Sequence, residues 1–211
     1  MSKRIRQQEA ITGIDRARKY AEDQKKYVKF LYAPLLKDVK ALKLDGDFLE
    51  IGAGPGLLSI LIAERNPNVN ITIADISSDM VTVADEYVKA KNLQNRIHCL
   101  VVDANDESTI ARLGQFDLVY STFSMHHWKE PVKSISNLWS SVEDNGLLYI
   151  YDFKRVWWLS HLPIKSGDID SIRASYTPLE IRNMLKKLNI TNSEVKTRFP
   201  FFIQSIIACK K

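Results

Sequence analysis

Three carboxylates stand at the ends of three apolar runs: Glu50 in Phe48-Leu49-Glu50-Ile51, Asp75 after Val69 to Ala74, and Asp103 after Ile97 to Val102. Between the first two lies Gly52-Ala53-Gly54-Pro55-Gly56, followed by an apolar segment from Leu57. Glycines let a backbone approach a ligand closely, and a helix that starts there presents unpaired N–H groups to it. Acidic strand ends around such a turn suit a ligand with ribose hydroxyls and a cationic centre better than a pyrophosphate. The dinucleotide pattern Gly-x-Gly-x-x-Gly would place its third glycine at position 57, which is Leu57 here. Asp75 lies 23 residues after Gly52 and fits a ribose in either reading. A second group could act on a substrate: the paired His126 and His127, the isolated His161, and Arg155 with Trp157 and Trp158. Histidines can orient or deprotonate a nucleophile, a tryptophan face suits a planar or cationic partner, and Arg155, Lys165 and Arg173 could meet an anion. Cys99, Cys209 and four histidines are too few and too scattered for a disulfide framework or a zinc cluster, so no metal site is expected.

These residues need a sheet with helices on both faces. The spacing of Tyr20, Tyr27, Phe30, Leu31, Leu35, Leu36 and Val39 predicts helix over 17–43, broken into two at Pro34. Strands are expected at 48–51, 69–74, 97–102, 116–121 and 147–152, the last entered by the turn Asp144-Asn145-Gly146. Helices are expected from Leu57, over 79–90 after a Ser77-Ser78 cap, over 130–142, and from Thr177-Pro178 to about Leu188. The runs 191–198 and 201–209 can pair as an antiparallel edge hairpin. The expected fold is α/β: a Rossmann-like, doubly wound, seven-stranded sheet, mostly parallel, in a three-layer sandwich. One domain is expected over 1–211, comprising a helical cap (1–44), a ligand-binding core (45–152), a lid without clear period (153–176) and a final helix with the edge hairpin (177–211).

Charge divides along the same lines. Residues 1–45 carry a net +6, residues 46–152 a net −8 and residues 153–211 a net +7 within an overall +5. Basic flanks can pack against the acidic middle or face an anionic substrate. A polynucleotide partner is not expected, because no finger spacing, RNA-binding aromatic signature or long basic run is present. No apolar run approaches transmembrane length, and the charged first twenty residues lack a signal peptide's apolar core, so a cytoplasmic location is expected.

The segment Phe48-Leu49-Glu50-Ile51-Gly52-Ala53-Gly54-Pro55-Gly56 resembles motif I of the class I S-adenosylmethionine-dependent methyltransferases. The resemblance continues through Ala74-Asp75-Ile76-Ser77-Ser78-Asp79-Met80, Val102-Asp103-Ala104, Phe116 to Ser121, Met125-His126-His127-Trp128 and Gly146 to Ile150. It covers about half the chain and is most similar to the small-molecule, methyltransferase type 11-like subgroup. It implies S-adenosyl-L-methionine as cofactor and a small-molecule methyl acceptor, methylated by direct displacement. It also implies that Glu50 and the backbone of Gly52, Ala53, Gly54 and Gly56 surround the methionine portion, and that Asp75 accepts both ribose hydroxyls. By the same resemblance Ile76 and Met80 sandwich the adenine, Asp103 and the Ala104 N–H read its edge, and Ser121 and Tyr20 complete the site. His127, followed by Glu130, is the favoured catalytic histidine, with His126 and His161 as the others. Asn105-Asp106-Glu107-Ser108 departs from the family's usual continuation, which leaves Asn105 and Asp106 as alternatives to Asp103. Ser121-Thr122-Phe123-Ser124 replaces the Asn/Asp-Pro-Pro-Tyr signature of amide and adenine methylation. An RNA methyltransferase, a non-catalytic cofactor-binding protein and a nicotinamide-dependent oxidoreductase are the alternatives. Monomer and homodimer both stay open.

Overall fold

The computed structural model describes residues 4–5, 11–42, 45–160 and 167–211. Its strands are β1 (Gly46–Ile51), β2 (Val69–Asp75), β3 (Ile97–Val101), β4 (Phe116–Thr122), β5 (Val142–Phe153), β6 (Ser193–Arg198) and β7 (Ile203–Cys209). They form one sheet in the order β3-β2-β1-β4-β5-β7-β6, parallel from β3 to β5, with β7 antiparallel to both β5 and β6. The order reverses between β1 and β4, the position where a parallel sheet opens a crevice at its carboxyl edge.

The helices are α1 (Ile14–Lys25), α2 (Val28–Leu31), α3 (Ala33–Leu42), α4 (Leu57–Arg65), α5 (Ser78–Ala90), α6 (Glu107–Leu113), α7 (Pro131–Ser140), α8 (Trp157–Ser160), α9 (Gly167–Ala174) and α10 (Pro178–Lys187). Strand alternation assigns them to faces. Phe48, Ile71, Ile73, Leu118 and Tyr120 point toward Leu35 and Val39 of α3, Leu58 and Ile62 of α4 and Val88 of α5. Leu49, Ile51, Val119, Leu148 and Ile150 point toward Ile110 of α6, Ile135 and Leu138 of α7 and Ile181 and Leu185 of α10. Burying both faces explains why the central strands read as continuous apolar runs. Helix α1 lies outside these layers, with Ala17 and Ala21 against Met80 and Val83 of α5. Among the described residues no helix is long and apolar enough to cross a membrane.

Four local expectations are corrected. Pro34 starts a helix instead of breaking one: it is the second residue of α3, where its missing N–H costs nothing, and the chain has already left helix at Lys26-Tyr27 and at Tyr32. Strand β5 does not begin at Leu147 but runs from Val142 through a bulge, with Asn145 left-handed at φ 67° and a register shift against Phe116 and Leu118. Helix α6 was not foreseen; Asp106 caps it by accepting the Thr109 N–H at 3.1 Å. The aperiodic stretch after β5 contains two short helices, α8 and α9. The Thr177 start is as expected, with a reciprocal capping box between Thr177 and Glu180.

Candidate active site

At the β1/β4 reversal the carboxyl edge opens into a cleft whose cavity measures about 160 Å³. Gly52, Gly54 and Gly56 all adopt left-handed backbone, with φ of 67°, 54° and 68°. At Gly52 a Cβ would sit 1.9 Å from the Ser124 hydroxyl, and at Gly56 one would sit 2.6 Å from Ile73 Cδ1. Glycine is therefore needed there both for conformation and for room.

Asp75 is fixed beside this turn. Its Oδ2 accepts the Gly54 N–H at 2.8 Å and its Oδ1 the Ser77 N–H at 2.9 Å, while burial raises its pKa. Each oxygen keeps a lone pair for a ligand hydroxyl. The next side chain, Ile76, is half exposed at the cleft, Met80 is buried beneath it, and Ala104 and Val102 also line the space. Asp103 lines it too, its Oδ1 held by the Asn105 N–H at 2.8 Å. Asn105 is a lining residue as well, whereas Asp106 is spent as a helix cap, so of the three residues left open by the sequence Asp103 and Asn105 lie at the cleft. Tyr20, carried by α1, lies over the turn with its Cε1 3.9 Å from where a Gly54 Cβ would be.

Glu50 occupies a different place from the one expected. It shares the Phe48 face of β1, so its carboxylate points toward α4 and away from the cleft lining. It accepts from Ser59 at 2.5 Å and Thr122 at 3.4 Å, Ser59 also contacts the Tyr120 hydroxyl at 2.5 Å, and burial lifts its carboxyl to about 7. Gly56 and Ala53 likewise support the turn without lining the cleft. Ser121 is buried beside Gly52, and its hydroxyl has no hydrogen-bond partner among the described residues.

On the other side of the cleft a 3-10 turn, Met125–His127, follows β4. His127 lines the cleft, its Nδ1 is buried without a hydrogen-bond partner among the described residues, and desolvation together with the adjacent His126 lowers its pKa to about 4. His126 is fully buried: Asp152 accepts its backbone N–H at 2.8 Å and meets its Nδ1 at 2.7 Å, and the two histidine rings lie 4.0 Å apart. Glu130, expected to support His127, is instead exposed at the start of α7; the carboxylate that meets the histidine pair is Asp152.

The expected substrate residues are not in the cleft. Arg155 is buried, donating to the Ser175 carbonyl at 3.0 Å and to Glu180 at 2.6 Å, which ties β5 to the α10 cap. Trp157 and Trp158 are exposed on α8 and do not line the cavity. Arg173 pairs with Asp170. His161 and Lys165 fall outside the described residues. Sequence reasoning missed Ile11, Phe123, Ser124 and Lys129, all of which line the cleft. Only Ser124 had a signal, as the side chain that a glycine at 52 must accommodate. Among the described residues no group of acidic, histidine and cysteine side chains could hold a metal.

The fold matches that of known proteins. Residues 49–148 match the family model "Methyltransferase domain". A methyltransferase from Aquifex aeolicus described as S-adenosylmethionine dependent superposes with a TM-score of 0.72 at 18% identity, over 95% of this chain and all of that one. This is the class I S-adenosylmethionine-dependent methyltransferase fold. The plantazolicin methyltransferase BpumL, solved in complex with a triazolic desmethylPZN analog and SAH, shares it with a TM-score of 0.70 at 16% identity, over 93% of this chain and 92% of that one. Among curated sequences, the malonyl-[acyl-carrier protein] O-methyltransferase of Acetivibrio thermocellus is 29% identical over 135 residues, covering 64% of this chain and 44% of the relative. An uncharacterized Synechococcus protein is 28% identical over 108 residues, 51% of this chain and 25% of that protein. The chain thus spans less than half the length of these curated relatives.

Proposed function

We propose that this chain is a class I methyltransferase that binds S-adenosylmethionine in the β1/β4 cleft and transfers its methyl group to a small molecule. The observation that carries the reading is the Asp75 carboxylate, pinned by two backbone N–H groups beside three left-handed glycines and still able to accept from a ligand. Fit is supported by the apolar slot between Ile76 and Ala104, by the polar Asp103 at its end and by the orphaned Ser121 hydroxyl.

Bound there, S-adenosylmethionine would supply a methyl carbon activated by a sulfonium. The chain's own part is placement. Asp75 holds the ribose through two charge-assisted bonds, Ile76 and Met80 flank the adenine, and Asp103 accepts from its amino group. Glu50 acts from behind the glycine turn, where its carboxylate, once ionised, favours a cationic ligand. His127 presents an unprotonated imidazole to the acceptor, because burial keeps it neutral across the physiological range. A base of pKa about 4 draws little proton at neutral pH, so His127 orients the nucleophile by accepting a hydrogen bond. That suits direct displacement, in which alignment supplies most of the acceleration.

Calorimetric titration tests this. S-adenosylmethionine should bind, a nicotinamide dinucleotide should not, and Asp75→Ala should lose about tenfold or more in affinity, equivalent to about 1.4 kcal/mol. Unchanged affinity in a folded Asp75→Ala protein, or tighter binding of the dinucleotide, overturns the reading.

A further inference from the structure

Six large aromatic side chains are exposed on three segments: Tyr27 and Phe30 ahead of α3 (58% and 71%), Trp157 and Trp158 after β5 (71% and 48%), and Phe199 and Phe201 in the β6–β7 turn (74% and 71%). Phe123, at the cleft, links the first segment to the second. Tyr32, which ends α2, meets Phe123 with ring centroids 5.8 Å apart, and Phe123 meets Phe153 at 4.8 Å. The next residue, Lys154, donates its backbone N–H to the Phe202 carbonyl at 2.7 Å, which seats the β6–β7 turn beside the strand that leads into α8. Single exposed apolar residues are ordinary, but six large ones on three linked segments are not.

The same segments are basic. The stretches 25–32, 153–158 and 196–202 hold seven lysines and arginines and no carboxylate. Arg155 and Arg198 are committed to Glu180 and Asp38, and Lys25 pairs with Glu22 and lies 4.1 Å over the Tyr87 ring, but Lys26 and Lys196 make exposed ion pairs with Asp23 and Glu194. Lys154 meets the Thr197 hydroxyl. Exposed pairs contribute little and exchange readily for another anion.

We propose that this rim docks the protein on an anionic lipid bilayer, with Phe and Trp side chains entering the headgroup boundary and the lysines meeting lipid phosphates. Apolar aromatics at element ends next to flexible cations are what an interfacial surface needs, whereas RNA would favour free arginines along a track, and here both rim arginines are tied down. Because the rim borders the cleft, docking would also deliver an amphiphilic acceptor from the membrane to His127; that extension rests on the methyltransferase reading, while docking itself does not.

The experiment is sedimentation with vesicles of phosphatidylcholine alone and of phosphatidylcholine with phosphatidylglycerol, while tryptophan emission is recorded and S-adenosylmethionine affinity is measured by calorimetry on the same samples. The wild type should partition onto the anionic vesicles with a blue shift, more weakly onto neutral ones and more weakly in high salt. The variant Trp157→Ser/Trp158→Ser/Phe199→Ser/Phe201→Ser should lose about tenfold or more in partitioning while keeping its cofactor affinity. No partitioning, or equal partitioning by the variant, overturns the proposal. So does dimerisation in solution that the same variant abolishes, or binding to single-stranded RNA without binding to vesicles. Loss of cofactor binding in the wild type would count against the methyltransferase reading and leave the docking result intact.

Discussion

The two halves of the cleft are built differently. Around the glycine turn and the ends of β2 and β3 polar groups are already satisfied: Asp75 by Gly54 and Ser77, Asp103 by Asn105, and Glu50 by Ser59 and Thr122. Around the end of β4, three buried polar atoms have no hydrogen-bond partner among the described residues, namely Ser121 Oγ, His126 Nε2 and His127 Nδ1. A site for a constant ligand can be preorganised by the backbone, since the same hydrogen bonds serve every turnover. The acceptor half keeps its capacity open, at the cost of desolvated groups that only a ligand or water can satisfy. The contrast predicts that substitutions in the first half act on cofactor affinity and pH dependence, and those in the second on turnover.

The largest stability effect should come from Glu50. Its folded pKa of about 7 lies above the ordinary 4.5 because the carboxylate is desolvated among Ser59, Thr122, Tyr120 and Tyr32, with Asp75 adding repulsion. The folded state thus holds a proton that the unfolded state has released, so stability falls as pH rises from about 4.5 to 7 and levels off above. The full effect is roughly 3 kcal/mol. His127, whose pKa is lowered, contributes with opposite sign, adding stability as pH rises from about 4 to 6.5. Denaturant unfolding at pH 5, 6, 7 and 8 should show the Glu50→Gln protein gaining on the wild type as pH increases. Parallel curves would mean that Glu50 ionises freely. Cofactor affinity should rise through pH 7 in the wild type and stay flat in Glu50→Gln.

Asp152 is the counterpart on the acceptor side. It accepts three N–H groups, from the His126 backbone, the His126 ring and the Phe153 backbone at 2.7 Å. Asp152→Asn turns one oxygen into a donor facing donors, so about 2 kcal/mol of stability should be lost. The His126 nitrogen chemical shifts should move and methyl transfer should fall, while calorimetry shows cofactor affinity nearly unchanged. An equal loss of cofactor affinity would show that the two halves are not separable.

How far the sequence spoke follows the same division. The strands, the glycine turn and the place of Asp75, Asp103, Ile76 and Met80 at the cleft were legible because they lie in contiguous motifs at strand ends, where local spacing determines place. Glu50 was legible as a residue but not as a position: strand alternation turns it toward Ser59, and motif reasoning ignored that parity. Arg155 was misread because its partners, Ser175 and Glu180, are 20 and 25 residues away in the chain. Ile11 and Phe123 line the cleft through tertiary placement alone, which no local pattern announces.

The smallest expected effect concerns Arg4, which touches both halves at one remove. Its guanidinium donates to the Ala174 and His126 carbonyls, the latter at 2.7 Å, and lies 4.2 Å above the Tyr176 ring. A few residues on, the Ile11 carbonyl accepts from Ser77 at 2.8 Å and the Gly13 N–H donates to Asp79 at 2.8 Å, next to the ribose position. The described N-terminal residues thereby have contacts on the histidine side, where the Ile5 N–H also meets the Arg173 carbonyl at 3.4 Å, and on the ribose side. Removing the Arg4 side chain should loosen the first set and leave the second in place. These bonds are only partly buried, so Arg4→Ala should cost about 1 kcal/mol, or about fivefold in an equilibrium constant. A tether across a cleft slows escape more than it alters encounter, so the change should fall on the cofactor's dissociation rate. Stopped-flow measurement of S-adenosylmethionine association and release in the wild type and Arg4→Ala decides it. A slower association with unchanged release would mean that Arg4 attracts or orders the site before binding, and would place the N-terminal segment with the preorganised half instead of across the two.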